Sequence, residues 1–461
     1  MRSFWAFGCA VVLMTVGLAW GAPPARAGIS DTCPNDAAGQ LVTLANGATY
    51  CGRTSGNVQT VAAFQGIQYA TAARLAEPSV LTPSGANPAK NYKAVCPQVV
   101  SKDSTSYKIG VEDCLYLNVW APKTPSSSPN GYPVLFWVHG GAFVFGSSAD
   151  GSFDPSVSPP QFDADGGLYD GSSFAAQGIV VVTINYRLGA LGFLAYEPKK
   201  VYGISAPYLP HAIPGNYGIM DQVAALNWVN TYISGFGGDP SRISIAGESA
   251  GAMSVGLLNY SNARANSMAT AAIMESNPMG VVYERQVKAG STHGMKHHEL
   301  TANAFLGNLC STYAGLINQQ HHTSLTCDDL KGSDWLTEPY GTYNMTPTVD
   351  LILQSQGWAD ATTAAFVLNP RFSTILPWTP VLGRPVTNPD YALVDNQPLN
   401  GYASGFTAHP VLFGTNLNEG VLFVDPLASK ISMTTYNSII NGLFAPRQLP
   451  SGDATVTQAV E

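Results

Sequence analysis

A serine stands between two glycines in Gly247-Glu248-Ser249-Ala250-Gly251, directly after the largely apolar run Ser241-Arg242-Ile243-Ser244-Ile245-Ala246. That order predicts a short buried strand turning sharply into a helix. Such a turn leaves no room for side chains on its flanks, so glycine fills both positions and the serine oxygen is pushed outward. A glycine-flanked serine often marks only a turn. Here a strand precedes it and the small residues from Ala250 to Leu258 follow, suiting a helix packed closely on a sheet. The chemistry implied is acyl transfer through a nucleophilic serine oxygen.

Acyl transfer also needs donors for the developing negative oxygen. His139-Gly140-Gly141-Ala142-Phe143 follows the apolar run Val134 to Val138, and its glycines let main-chain N–H groups approach a ligand closely. A structural glycine turn is the plain alternative.

The elements that must position these residues read as α/β. Val134-Leu135-Phe136-Trp137-Val138 and Ile179 to Ile184 are continuous apolar runs, expected as strands buried on both faces of a parallel sheet. Asp221 to Tyr232 reads as an amphipathic helix with Val223, Leu226, Trp228 and Val229 inward. Ser147 to Ser173, rich in Gly, Pro, Ser and Asp, reads as a long surface excursion. The expected fold class is α/β, a central mostly parallel sheet flanked by helices.

The composition narrows the partners. Of 461 residues, 45% are apolar and only 11% charged, against about 25% charged in an average soluble protein. The net charge of -8, with no Lys/Arg cluster, excludes nucleic acid and anionic membrane as expected partners. Arg2, an apolar run from Phe4 to Ala22, Pro23-Pro24 and Ala25-Arg26-Ala27 read as a secretory signal peptide over 1-27. An uncleaved membrane anchor is the rival, but the small-residue site and the prolines favour cleavage. The protein is therefore expected to be secreted or periplasmic, with 28-461 as a single domain and no stable membrane insertion.

Cys9 falls in the signal, leaving Cys33, Cys51, Cys96, Cys114, Cys310 and Cys327. An even count in an exported chain argues for disulfides. Fifteen connectivities are possible, and pairing neighbours in sequence would close three loops of similar size. Each such loop is worth about 3 kcal/mol in the chain-entropy picture.

Several segments together resemble the type-B carboxylesterases, the family that includes cholinesterases and some fungal lipases. The likeness rests on Glu112 to Trp120 (EDCLYLNVW), His139 to Phe143, Asn185-Tyr186-Arg187-Leu188-Gly189, Gly215 to Gly218, Asp221-Gln222, Phe236 to Pro240 and the turn at Ser249, in the family's order. The resemblance implies an α/β-hydrolase fold and a Cys96–Cys114 pair. It also implies an oxyanion hole from the amides of Gly141, Ala142 and Ala250, where many relatives have glycine in place of Ala142. By the same likeness Glu419, after the strand Val411 to Gly414, is the acidic triad member, with an exposed loop glutamate as the alternative. Glu248 and Ser276 match supporting positions, and Arg187 with Asp221 and Arg74 with Glu112 match structural ion pairs.

A serine triad also needs a histidine, which in this fold follows the acid along the chain. The eight histidines are His139, His211, His293, His297, His298, His321, His322 and His409, and none follows Glu419. The chain thus reads as C-terminally incomplete and lacking its base, with no stoichiometric organophosphate labelling expected of it as written.

No cofactor or metal is expected. His293 and His297 are four apart but lack the glutamate of a zinc-protease motif, and Asp163, Asp165 and Asp170 lack the regular ligands of a calcium loop. Asn259-Tyr260-Ser261 and Asn344-Met345-Thr346 are glycosylation sequons in a eukaryotic host. The loop between Cys96 and Cys114 has no tryptophan with which to hold a quaternary ammonium and is short, so small to medium soluble esters are the expected substrates. A non-catalytic binding or adhesion protein on the same fold is the rival reading. Neither oligomeric state nor acyl and alcohol preference is legible.

Overall fold

The computed structural model describes residues 29–30, 32–34, 36–102, 105–149, 153–154, 161–162, 167–198, 207–277, 284–285, 297–356, 378–383, 386–393 and 409–416. Residues 1-27 and Glu419 lie outside them, as do Asp163, Asp165 and His293.

The strands that matter here are β1 (Gly39–Thr43), β2 (Thr49–Thr54), β3 (Val61–Gln68), β4 (Ala86–Pro88), β5 (Gln98–Lys102), β6 (Thr105–Ile109), β7 (Tyr116–Pro122), β8 (Tyr132–Val138), β9 (Val180–Ile184), β10 (Gly238–Glu248), β11 (Ala271–Glu275) and β12 (Val411–Gly414). One sheet runs in the order β1-β2-β3-β7-β9-β8-β10-β11-β12, with β4 beside β2, while β5 and β6 form a separate hairpin. Pairing along the main path is antiparallel from β1 as far as β9 and parallel from β9 to β12. The chain leaves β8 to lay β9 on one side of it and later β10 on the other. That reversal opens a crevice at the carboxyl ends of β8 and β10, the place where open α/β sheets bind ligands.

Of the two strands expected to be buried on both faces, only β9 is. All five residues of β9 are buried, but Leu135 and Trp137 in β8 are only half-buried. Tyr169 covers part of that face, its ring 5.3 Å from that of Trp137. The helix α1 (Tyr217–Tyr232) starts four residues before its expected position and is buried around its whole circumference from Tyr217 to Leu226. It packs against β10 on one side and against the short helices Gly189–Phe193 and Ala263–Met268 on others, so an amphipathic face is not what its position requires. Ser147 and Ser148, expected at the start of a surface excursion, are buried instead. Ser148 donates its N–H to Asn185 Oδ1 at 2.8 Å and its hydroxyl receives Asn118 Nδ2 at 2.9 Å.

The three disulfides join neighbours in sequence: Cys33–Cys51, Cys96–Cys114 and Cys310–Cys327. Both expected ion pairs form. Arg187 grips Asp221 with Nε and Nη2, each at 2.8 Å, and both side chains are buried. Arg74 engages Glu112 while its Nη1 reaches the carbonyls of Leu336 and Pro347 at 3.1 and 2.7 Å. Asp170 accepts from Asn57 Nδ2 and from the N–H of Ser172. Among the described residues no cluster of three or more His, Cys, Asp or Glu side chains could hold a metal ion, and no helix is long and apolar enough to cross a membrane. Asn259 of the first sequon is fully buried, whereas Asn344 of the second is exposed.

Candidate active site

β8 and β10 end level with each other, Val138 opposite Gly247, so the segments that leave them enter the crevice side by side. Ser249 follows β10 and precedes the helix α2 (Ala250–Tyr260) with φ 54° and ψ −121°. A non-glycine residue in such a conformation costs on the order of 1–3 kcal/mol and persists only where its surroundings over-determine it. Here the Ser249 N–H donates to Glu275 O at 2.9 Å, and its carbonyl accepts the N–H of Met253 at 2.9 Å. The flanking glycines are steric necessities. A Cβ on Gly251 would lie 2.1 Å from Val138 O, and one on Gly247 would lie 2.6 Å from the carbonyl carbon of Gly251.

The segment after β8 lies against this turn. A Cβ on Gly140 would come within 2.8 Å of Glu248 Oε2 and 3.3 Å of Ser249 Cβ. Gly141, Ala142 and Phe143 then take positive φ in succession, at 101°, 53° and 63°. Gly141 O accepts the N–H groups of both Val144 and Phe145, closing a tight turn. Phe143 is fully buried 5.0 Å from the Phe193 ring, and its carbonyl accepts from Gly189. Among the described residues, the N–H groups of Gly141, Ala142 and Ala250 donate to no acceptor, and no side chain hydrogen-bonds Ser249 Oγ.

The supporting positions are placed as follows. Glu248 is half-buried beside Gly140. Ser276, with φ 55°, donates its N–H to Gly414 O at 2.7 Å and receives Asn416 Nδ2 at 3.3 Å, tying the ends of β11 and β12 together. Glu419 itself lies beyond the described residues.

None of the described histidines is hydrogen-bonded to Ser249. His139 is buried, its ring stacked 4.3 Å from that of Tyr186. Its Nδ1 is 2.8 Å from Gly140 O, and since a carbonyl only accepts, Nδ1 carries the hydrogen. Burial lowers its pKa to about 4, so at neutral pH the ring is uncharged. His211 Nδ1 is 2.8 Å from Asp334, on the wall of a cavity of about 410 Å³ that no residue of the Ser249 turn or the Gly140 loop lines. His409 Nε2 contacts Asn266 O at 2.9 Å, at the start of β12 and away from its carboxyl end. His321 packs on Tyr343, and His322 is exposed.

Behind the loop lies a buried amide network whose roles were not legible in the sequence. Asn185 joins Ser148 to the carbonyls of Ala94 and Cys114, and Asn118 joins Ser148 to Thr183 and Gly66. Gln98 pairs with Gly146. Behind the Ser249 turn, Gln222 donates to Ser254 Oγ, whose hydroxyl bonds to Ala250 O. Asn185 and Gln222 sat within recognised motifs, but Gln98 and Ser254 carried no signal beyond proximity to Cys96 and Ser249.

The sheet order, the switch point at β8 and the strand-to-helix turn at Ser249 define an α/β-hydrolase. A PNB esterase structure superposes with a TM-score of 0.56 at 29% identity, covering 87% of this chain and 68% of that one. The model of the carboxylesterase family matches residues 40–444, and the chain belongs to that family. It is 40% identical over 200 residues to a bile salt-activated lipase of Mus musculus, covering 43% of this chain and 29% of that protein. To the para-nitrobenzyl esterase of Bacillus subtilis (strain 168) it is 37% identical over 249 residues, 53% of this chain and 42% of that protein. Each alignment thus spans less than half the length of the curated relative.

Proposed function

We propose that the protein hydrolyses carboxylic esters by acyl transfer to Ser249. Ser249 Oγ attacks the ester carbonyl, and the main-chain N–H groups of Gly141, Ala142 and Ala250 receive the oxyanion. The alcohol leaves with a proton, and water then releases the acid from the acyl-enzyme. The observation that supports this most is the juxtaposition of a strained serine with N–H groups that, among the described residues, donate to no acceptor. Gly141 and Ala142 are half-buried, and Ala250 opens α2, whose first N–H groups have no partner inside the helix, so these donors are left for a ligand oxygen. Glu419, five residues beyond the end of β12, is the acid in this reading. Glu248 and Ser276 support the turn from behind. The names of the relatives favour esters, and the small loop between Cys96 and Cys114 favours soluble ones of small to medium size. Three disulfides suit an exported protein, with residues 1-27 removed and the remainder acting as one unit.

Removing the serine proton calls for an imidazole, and no described histidine is bonded to Ser249. That observation favours a second reading, a non-catalytic binding protein on the same fold. Paraoxon separates the two. In its reaction the Ser249 O–P bond forms, p-nitrophenolate leaves, and the serine proton passes to a base. For the 461-residue chain by itself we expect no stoichiometric labelling, and with added imidazole slow phosphorylation that maps by mass spectrometry to Ser249 and is absent from Ser249→Ala. An adduct elsewhere, or none even with imidazole, breaks the esterase reading and leaves the binding protein. N-terminal sequencing of the exported protein should begin at Gly28.

A further inference from the structure

We infer that Gln98 is a positioning residue for the oxyanion loop, an inference that rests on the reading of Gly141 and Ala142 just proposed. Gln98 is 1% exposed, and its primary amide lies against the peptide of Gly146. Oε1 accepts the Gly146 N–H at 2.9 Å, and Nε2 donates to Gly146 O at 2.9 Å and to Cys96 O at 3.0 Å. This is the two-point pairing that a neighbouring strand would give, supplied by a side chain where the sheet has ended.

Gly146 is the far anchor of the loop. It has φ 110°, and a Cβ there would lie 2.5 Å from His139 Nδ1, so its main chain packs directly on the loop's own base. One residue before it, Phe145 bonds through its N–H to Gly141 O, as does Val144. A shift at Gly146 therefore reaches Gly141 across a single closed turn. Gln98 is itself held firmly, since it opens the hairpin β5–β6 inside the Cys96–Cys114 loop, and Cys114 O is tied to Asn185 Nδ2 at 3.1 Å. The path from the disulfide through Gln98 and Gly146 to Gly141 consists of hydrogen bonds and short covalent steps.

A buried amide that merely glues two loops would contribute to stability alone. A positioning role adds a kinetic signature, because misplacing reacting groups by about 1 Å costs on the order of 10²-fold in rate. Gln98→Ala should lower the maximal rate of imidazole-supported phosphorylation by paraoxon about 10- to 100-fold. The half-saturating paraoxon concentration should move less than about 3-fold. Hydrogen exchange in the peptide spanning 139–148 should accelerate. Gln98→Glu places a carboxylate against the carbonyls of Cys96 and Gly146, and only its protonated form regains a donor. Its rate relative to wild type at the same pH should therefore climb as pH falls from 8 to 5.

A maximal rate within twofold of wild type, or a loss confined to half-saturation, overturns the inference. If Gln98→Ala shows no cooperative melt, Gln98→Glu decides, and a rate ratio that does not change with pH overturns it. Wild-type protein that stays unphosphorylated with imidazole would break the reading of Ser249. Exchange over 139–148 would then decide for Gln98, unchanged exchange in the variants overturning its hold on the loop.

Discussion

The turn at Ser249 and the loop from Gly140 to Gly146 lie against each other, yet they are held by different means. The turn is held by main chain. Ser249 bonds through its backbone to Glu275 and Met253, and its glycines admit the backbone of β8 at contact distance. The loop has main-chain bonds at Gly141 and Phe143 but is also held by side chains: Gln98 at Gly146, the Phe143 ring against Phe193, and the His139 ring between Gly140 and Tyr186. A geometry fixed by backbone contact fails sterically when atoms are added. One fixed by distant side chains fails when they are removed or charged.

The sharpest break should come at the turn. Gly251→Ala drives a methyl into Val138 O and should destabilise the protein by about 3 kcal/mol, read from the urea midpoint. A loss under about 1 kcal/mol would mean that β8 yields and that the turn is not sterically fixed.

The loop should instead be sensitive to pH. His139 titrates near 4 in the fold because burial opposes its charge, against about 6.5 in an unfolded chain. A depressed histidine pKa means that the unfolded state binds more protons, so stability falls as pH drops through the window from 6.5 to 4. Between pH 7 and pH 5 this amounts to about 2 kcal/mol. His139→Gln should lack that part of the slope, and equal slopes in the two proteins would remove His139 from the account.

Smaller effects test the strain on each side. Ser249→Gly should raise stability by about 1 kcal/mol through relief of the positive φ, while abolishing phosphorylation at this position. A destabilised variant would show that the hydroxymethyl group holds the turn. Ala142→Gly should gain less, about 0.5 kcal/mol, because relief of φ 53° is partly offset by the greater freedom of unfolded glycine. Thermal denaturation of both variants beside wild type would rank them.

The same division explains what was legible beforehand. Gly247, Ser249 and Gly251 announce their turn because a five-residue pattern carries it, although the contact that demands Gly251 comes from Val138 on a neighbouring strand. The loop's glycines were equally visible, and so were the Arg187–Asp221 and Arg74–Glu112 pairs and the Cys96–Cys114 bond through the family resemblance. The all-round burial of α1 was not legible, because it depends on helices packed from other parts of the chain. Nor was the burial of Ser147 and Ser148, since Asn118 and Asn185 lie far from them in sequence.

The sequence by itself determined the glycine-flanked serine turn, the α/β class and the family, because these are carried by short motifs and by residue order. Only the tertiary structure decided that Gln98 reaches Gly146, that His139 faces Gly140 O and Tyr186, and that His211 and His409 are engaged away from Ser249. Those facts depend on which side chains meet across the end of a sheet, where no backbone ladder remains to fix the neighbours and long-range packing must do so.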